Sequence, residues 1–256
     1  MKNTRVIKVS CCGANELLKV EDVVNFLEKN RKVEIGIGVS KERCQYAMDR
    51  FNWILKLQKN LSNENGKSRI AFHVNGEWSI NIAKTGKLPK ELLFILFHNN
   101  GIARVQLNVI GSGYSLENLS AEPLAKLITL LKEKKLARFI IPYNQQSMDF
   151  IKNLKLYTND FDILYDASFG LGKQSSQYYS FFSNNFQGYA GGLSPDNIKQ
   201  ELLKIDKAQK SLVDIWVDAE GKLKCDNCNT LDLKKAQKFA TNALEMNNGF
   251  SNSKNQ

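Results

Sequence analysis

The chain has 256 residues, 43% of them hydrophobic, and 36 Lys and Arg against 26 Asp and Glu give it a formal net charge of +10. No apolar run reaches the ~20 residues a membrane helix needs, and five cysteines, an odd number, come with no signal-peptide pattern. These features argue against a membrane protein and against a disulfide-framed secreted domain, and they point to one α/β domain in a reducing cytoplasm.

The apolar pattern alternates between short strands and amphipathic helices. Arg5 to Ser10 reads as a strand that runs on to Cys12, Val20 to Lys29 as a helix, Val33 to Val39 as a strand and Gln45 to Leu57 as a helix. Arg69 to Val74 is a third strand. It is followed by a less regular stretch in which Trp78 to Ile82 alternates and Lys90 to Phe97 is helical. Ala103 to Val109 is a strand, Pro123 to Lys132 a helix, Ala137 to Pro142 a strand and Ser147 to Leu154 a short helix. Phe161 to Tyr165 and Gln187 to Ala190 are strands, and Leu212 to Val217 followed by Asp232 to Met246 closes the series.

Eight Val-, Ile- and Leu-rich strands, each followed by a helical segment with no composition break, predict a single-domain (β/α)8 TIM barrel over residues 1–246. Residues 247–256 are polar and read as a disordered tail. An open doubly wound sheet would want a glycine fingerprint after the first strand, where Cys12-Gly13-Ala14-Asn15 offers one glycine.

Two later strands end in glycine turns. Asp166 leads into Gly170-Leu171-Gly172-Lys173, and Gly191-Gly192 precedes Ser194-Pro195, read as the N-cap and first position of a helix. Such turns let backbone amides converge on an anion, so the expected partner is a phosphorylated small molecule. The basic residues are scattered along helices, as Lys132, Lys134 and Lys135 and as Lys234, Lys235 and Lys238. They read as solvated faces, so neither nucleic acid nor a membrane is expected as a partner.

In a barrel the chemistry belongs at the C-terminal strand ends. These carry Cys11 and Cys12; Ser40, Lys41 and Arg43; His73 and Asn75; Gln106 and Asn108; Tyr143 and Asn144; Asp166; Gly191 and Gly192; and Asp214, Trp216 and Asp218. A thiol and a carboxylate across one rim, with a cation between them and a phosphate cradle beside them, suit acid–base chemistry on a sugar phosphate.

Ser10-Cys11-Cys12-Gly13, Asp166 with Gly170-Leu171-Gly172-Lys173, and Gly191-Gly192-Leu193-Ser194-Pro195-Asp196-Asn197 resemble motifs of the phosphoribosylanthranilate isomerases of tryptophan biosynthesis. Val105-Gln106-Leu107-Asn108 and Ser40-Lys41-Glu42-Arg43 are weaker echoes, and the matches run in order along most of the barrel. The resemblance implies an Amadori rearrangement of an N-phosphoribosyl anthranilate or a related phosphorylated aminosugar. In it Cys12 is the general base and Asp166 the general acid. Arg43, Gln106 and Asn108 bind substrate, and Gly170, Gly172, Gly191, Gly192 and Asp218 hold phosphate, without cofactor or metal, in a monomer or homodimer. A thiolate at Cys12 would be favoured by Lys41 or Arg43.

The eighth strand departs from that family. Where the family has Ser-Ser-Gly, this chain has Trp216-Val217-Asp218, so Trp216 is expected to crowd the cradle and Asp218 and Glu220 to oppose a dianion. The alternative is therefore a non-catalytic or repurposed barrel that binds a small molecule or a protein.

Other features read more simply. Cys225-Asp226-Asn227-Cys228 has zinc-knuckle spacing but no second pair, and reads as two loop thiols. His73 and His98 lack metal-ligand spacing and read as ordinary buried or loop histidines. Tyr178 to Phe182 reads as a loop packed on the barrel, and Gly111-Ser112-Gly113-Tyr114 as a turn long enough to form a lid.

Overall fold

The computed structural model describes residues 3–61, 67–99, 101–109, 113–116, 119–166, 175, 177–180 and 185–247. Eight parallel strands form a closed barrel in chain order: β1 (Thr4–Cys12), β2 (Val33–Val39), β3 (Lys67–Val74), β4 (Ile102–Leu107), β5 (Ala137–Tyr143), β6 (Phe161–Tyr165), β7 (Gln187–Tyr189) and β8 (Val213–Ala219). The (β/α)8 TIM barrel expected from the strand count is what forms.

The helices are α1 (Val20–Lys29), α2 (Met48–Asn60), α3 (Gly76–Thr85), α4 (Lys90–Phe97), α5 (Glu122–Glu133), α6 (Met148–Lys155), α7 (Ile198–Ala208) and α8 (Leu233–Glu245). The alternating stretch Trp78 to Ile82 is helical. Trp78, Ser79, Ile82 and Ala83 are buried at i, i+1, i+4 and i+5, a helical stripe that happens to alternate over its middle. Both α3 and α4 follow β3, and no helix lies between β6 and β7 among the described residues.

The helix after β7 starts at Ile198 rather than at Pro195. Ser194 and Asn197 satisfy each other across a turn: the Ser194 amide donates to Asn197 Oδ1 at 2.8 Å and the Asn197 amide to Ser194 Oγ at 3.2 Å. At α8, Asp232 caps the amides of Lys234 and Lys235 at 2.8 and 3.1 Å, a contact worth about 1 kcal/mol. Asn247, first of the expected tail residues, is pinned to β1 by hydrogen bonds to both backbone groups of Val6, and residues 248–256 lie outside the described residues.

Strand alternation sends one set of side chains to the helices and the other into the barrel. Cys11 packs outward, its thiol near the Ala236 carbonyl of α8, whereas Cys12 points inward. The lower interior is ionic instead of branched aliphatic. Glu34 binds Lys8 at 3.0 Å, Arg104 and the Ser10 hydroxyl, while Arg104 lies 3.2 Å from Asp162, which also binds Arg138. Burial opposes ionisation of Glu34, but Arg104, Lys8 and Ser10 outweigh it and hold its pKa down at about 2. Above this layer Trp216 fills the barrel with Ile140, Leu164, Ala190 and Phe186.

A buried cluster beneath a polar cavity

A cavity of about 810 Å³ opens at the C-terminal strand ends. Asp166 enters it from β6, Gly191 and Gly192 from the turn after β7, Gln106 and Asn108 from β4 and its exit, Asp218 from β8, and Arg43 from the segment after β2. Gly170 and Gly172 lie outside the described residues. Gly191 and Gly192 adopt φ of 97° and 66°, the backbone that keeps this turn tight against the mouth.

Cys12 sits under the floor and is fully buried. Its thiol donates to Asp218 Oδ2 at 3.3 Å and lies 3.7 Å from His73 Nε2, and His73 Nε2 is 4.0 Å from the same carboxylate oxygen. Gly36 makes this possible. A Cβ there would stand 2.3 Å from the Cys12 sulfur and 3.0 Å from His73 Nε2. Burial first, then the carboxylates of Asp218 and Glu220, push the Cys12 thiol well above its ordinary value. Burial likewise pushes Asp218 up to about 6, against the opposing pull of His73 and the thiol hydrogen bond. Lys41, one of the cations expected to activate the thiol, instead pairs with Glu77 at 3.0 Å.

A chain of amides runs beside the cluster. Gln106 Nε2 donates to Asn108 Oδ1 at 2.9 Å, Asn108 Nδ2 to Asn75 Oδ1 at 3.0 Å, and Asn75 Nδ2 to the His73 carbonyl at 2.7 Å. Among the described residues the buried Gln106 Oε1 has no hydrogen-bond partner, a carbonyl available to a ligand donor. On the other side Arg43 projects past Gly38, and Lys222 and Lys224 reach the mouth, Lys224 paired with Glu220 at 3.0 Å. Burial works against ionisation of Glu220, but His73, Lys224 and Arg43 outweigh it and lower its pKa.

Two expectations change. Trp216 does not crowd the mouth: it is wholly buried beneath it, and Asp218 and Glu220, not the indole, present strand eight to the cavity. Cys225 and Cys228 are joined in a disulfide in the β8–α8 loop, so they are not two free thiols. Tyr178 packs edge-on against Tyr165 and Tyr189 and donates to the buried Glu201 at 2.8 Å, as a loop laid on the barrel should. His73 lacks any local motif that marks it as functional. Its place at a strand end, beside those of Cys12 and Asp218, was the signal available.

No protein-family model and no curated protein sequence matches the chain. Among solved structures it is similar to monomers of the dimeric phosphoribosylanthranilate isomerase of Thermotoga maritima, with a TM-score of 0.54 and 15% identity over 93% of this chain and 98% of that one. A phosphoribosyl anthranilate isomerase in complex with reduced 1-(o-carboxyphenylamino)-1-deoxyribulose 5-phosphate gives 0.53 and 13% over 93% and 98%. A Rubisco-like protein from Rhodopseudomonas palustris gives 0.50 and 11% over 94% of this chain and 64% of that one. These likenesses establish a barrel like that of the phosphoribosylanthranilate isomerases. Among the described residues no helix is long and apolar enough to cross a membrane.

Proposed function

We infer that the chain is an acid–base isomerase of the phosphoribosylanthranilate isomerase type, acting on an N-phosphoribosyl anthranilate or a related phosphorylated aminosugar. The observation that carries this reading is that Asp166, the Gly191-Gly192 turn and the His73–Asp218 wall above Cys12 all face one cavity. Asp166 and Cys12 stand three strands apart around the rim, with the glycine turn on the arc between them.

Asp166 donates a proton to the furanose ring oxygen, which opens the sugar to a Schiff base. The Cys12 side of the cavity then receives the C2′ proton, and the resulting enolamine tautomerises to the ketone. Because Cys12 is covered and its proton is held by Asp218, the working acceptor is the hydrogen-bonded group of Cys12 and Asp218, not an isolated thiolate. Arg43 supplies the charge for a substrate carboxylate, and Gln106 Oε1 and Asn108 supply polar contacts along its length. Phosphate sits at Gly191 and Gly192.

The test is loss of phosphoribosyl anthranilate fluorescence on incubation with the purified protein, alongside Asp166→Asn. Turnover in the parent, abolished in a variant that still binds the reduced deoxyribulose 5-phosphate analogue, is expected. A parent protein with no turnover sinks the isomerase reading.

One observation favours the second reading, a repurposed binding barrel. The end of β8 carries two carboxylates, Asp218 and Glu220, where a dianion would have to be held. Saturable binding of a small molecule or a protein, without turnover of phosphoribosyl anthranilate, is its signature.

A further inference from the structure

Three side chains from three strands converge beneath the cavity with a geometry that acid–base chemistry does not require. Cys12 Sγ, His73 Nε2 and Asp218 Oδ2 are 3.3, 3.7 and 4.0 Å apart, and each residue is more than nine-tenths buried. Around tetrahedral zinc, bonds of about 2.3 Å to sulfur and about 2.0–2.1 Å to nitrogen and oxygen place the donor atoms about 3.3–3.6 Å from one another. The three separations scatter around that range, and their small excess is removed by a side-chain adjustment of a few tenths of an ångström.

The charges agree with the distances. A thiolate and a carboxylate together neutralise a dication, and His73 adds a neutral donor, so the loaded site carries no net charge in a dry place. Among the described residues Asp218 has no lysine or arginine partner, its one ion-pair contact being with His73. The donor set also discriminates. Thiolate with imidazole suits zinc or cobalt(II), whereas magnesium and calcium want oxygen ligands throughout. Gly36 leaves the space into which the sulfur and the imidazole nitrogen extend. His73 and Asp218 also line the cavity, so the remaining coordination position faces solvent and ligand instead of a fourth side chain.

We propose that Cys12, His73 and Asp218 form a three-ligand site for zinc, or for another thiolate-binding divalent ion of its size, with the fourth position open to the cavity and available to water or to an anionic oxygen of a bound molecule. The arrangement is that of an open site rather than a closed structural one. This goes beyond the isomerase reading and does not rest on it. Uptake of the ion by a protein that shows no turnover with or without it leaves the site standing and removes the isomerase, and turnover in a protein that takes up no ion does the reverse.

The experiment uses the full chain, freed of metal by chelator under reducing conditions, with Cys225→Ser and Cys228→Ser introduced so that the loop thiols cannot compete. Titration with cobalt(II) is expected to saturate at one equivalent, with the visible absorption of a tetrahedral ion and a thiolate-to-cobalt charge-transfer band. Zinc should displace the cobalt and raise the melting temperature. Cys12→Ser should lose the charge-transfer band, and His73→Ala and Asp218→Ala should each weaken binding at least about tenfold. A parent protein that takes up no cobalt, or gives no charge-transfer band, overturns the proposal without reference to any variant. So does a band that survives Cys12→Ser in protein with native far-ultraviolet circular dichroism.

Discussion

Arg104 lies over Trp216 inside the barrel, the guanidinium carbon 4.0 Å from the centre of an indole ring with no solvent exposure. The pairing joins the two halves of the interior. Below it, Arg104 is anchored to Glu34 and Asp162; above it, the indole supports the floor on which Asp218 stands, two residues further along the same strand. An arginine stacked on an aromatic face and doubly paired has almost no rotamer freedom left, so the wide indole is fixed in turn.

The space for that indole is provided by Gly188 on the neighbouring strand, its register partner. A Cβ there would lie 2.0 Å from Trp216 Cε2, inside the ring's own volume. Gly188→Ala is therefore expected to destabilise the protein by about 3 kcal/mol or more, at or above the upper end of ordinary overpacking. Urea unfolding measures the loss. The same change made in a Trp216→Leu background should cost far less, because the clash is with the ring. Equal costs in the two backgrounds would show that Gly188 is needed for some other reason.

The ionic floor makes a pH prediction with a defined sign. Glu34 ionises at about 2 in the folded protein against a usual 4.5, so its contribution is fully present above 4.5 and is lost as pH falls toward 2. The difference corresponds to about 3 kcal/mol at neutral pH. Glu34→Gln should be less stable than the parent by roughly that amount at pH 7, since it leaves Arg104 and Lys8 without their carboxylate. The two stability curves should converge below 4.5. Curves that stay parallel down to the acid limit would mean that Glu34 is not held ionised by its neighbours.

Much of this was legible in the sequence because period and strand count are local signals that the barrel merely closes. The strand Val33–Val39 and the helices Val20–Lys29 and Lys90–Phe97 have the ends their apolar patterns give. The start of α7 was not legible: Ser194 before Pro195 looks like a cap, and the reciprocal Ser194–Asn197 turn that delays the helix depends on side-chain geometry. At the site, each strand end could be assigned to the rim, which brought Cys12, Asp166, Asp218 and His73 into one list. What sequence could not supply was direction. The alternation that turns Cys12 inward, and the register that sets Ser10 beside Asp218 and His73 beside Gln106, are properties of the closed sheet. The same limit misplaced Trp216, whose size suggested obstruction at the mouth when its register with Lys8 puts it lower in the barrel.

The cysteines offer a direct chemical check. Cys11, Cys12 and Cys44 are buried and free, while Cys225 and Cys228 are paired. A thiol reagent added to the folded, unreduced protein should therefore react with essentially no cysteine. Denaturation without reductant should reveal three thiols, and denaturation with reductant followed by its removal should reveal all five. Burial pushes the Cys44 thiol up to about 11 and raises the Cys11 and Cys12 thiols well above their ordinary value, so raising the pH to 9 should not by itself make the folded protein reactive. Two thiols reacting at once in the native protein would place Cys225 and Cys228 in the reduced form.

Arg43 separates binding from stability. Its side chain is exposed and extends past Gly38 toward the cavity, so Arg43→Ala should leave the unfolding free energy within about 0.5 kcal/mol of the parent's. Its guanidinium is nonetheless one of the charges that a ligand carboxylate or phosphate would meet at the mouth. Losing a charge-assisted hydrogen bond of that kind should weaken binding of the reduced carboxyphenylamino deoxyribulose 5-phosphate about tenfold or more. Arg43→Lys should recover only part of the loss, because an ammonium keeps the charge but not the two-pronged geometry. The parent's affinity should also fall with added salt more steeply than that of Arg43→Ala, since the interaction lies at an open mouth where ions screen it. Calorimetric titration of the three proteins at two ionic strengths measures all of these quantities. An Arg43→Ala protein that binds as tightly as the parent, with the same salt dependence, would remove Arg43 from the ligand site and leave Arg50, Lys222 and Lys224 among the cavity-lining cations to meet the anion.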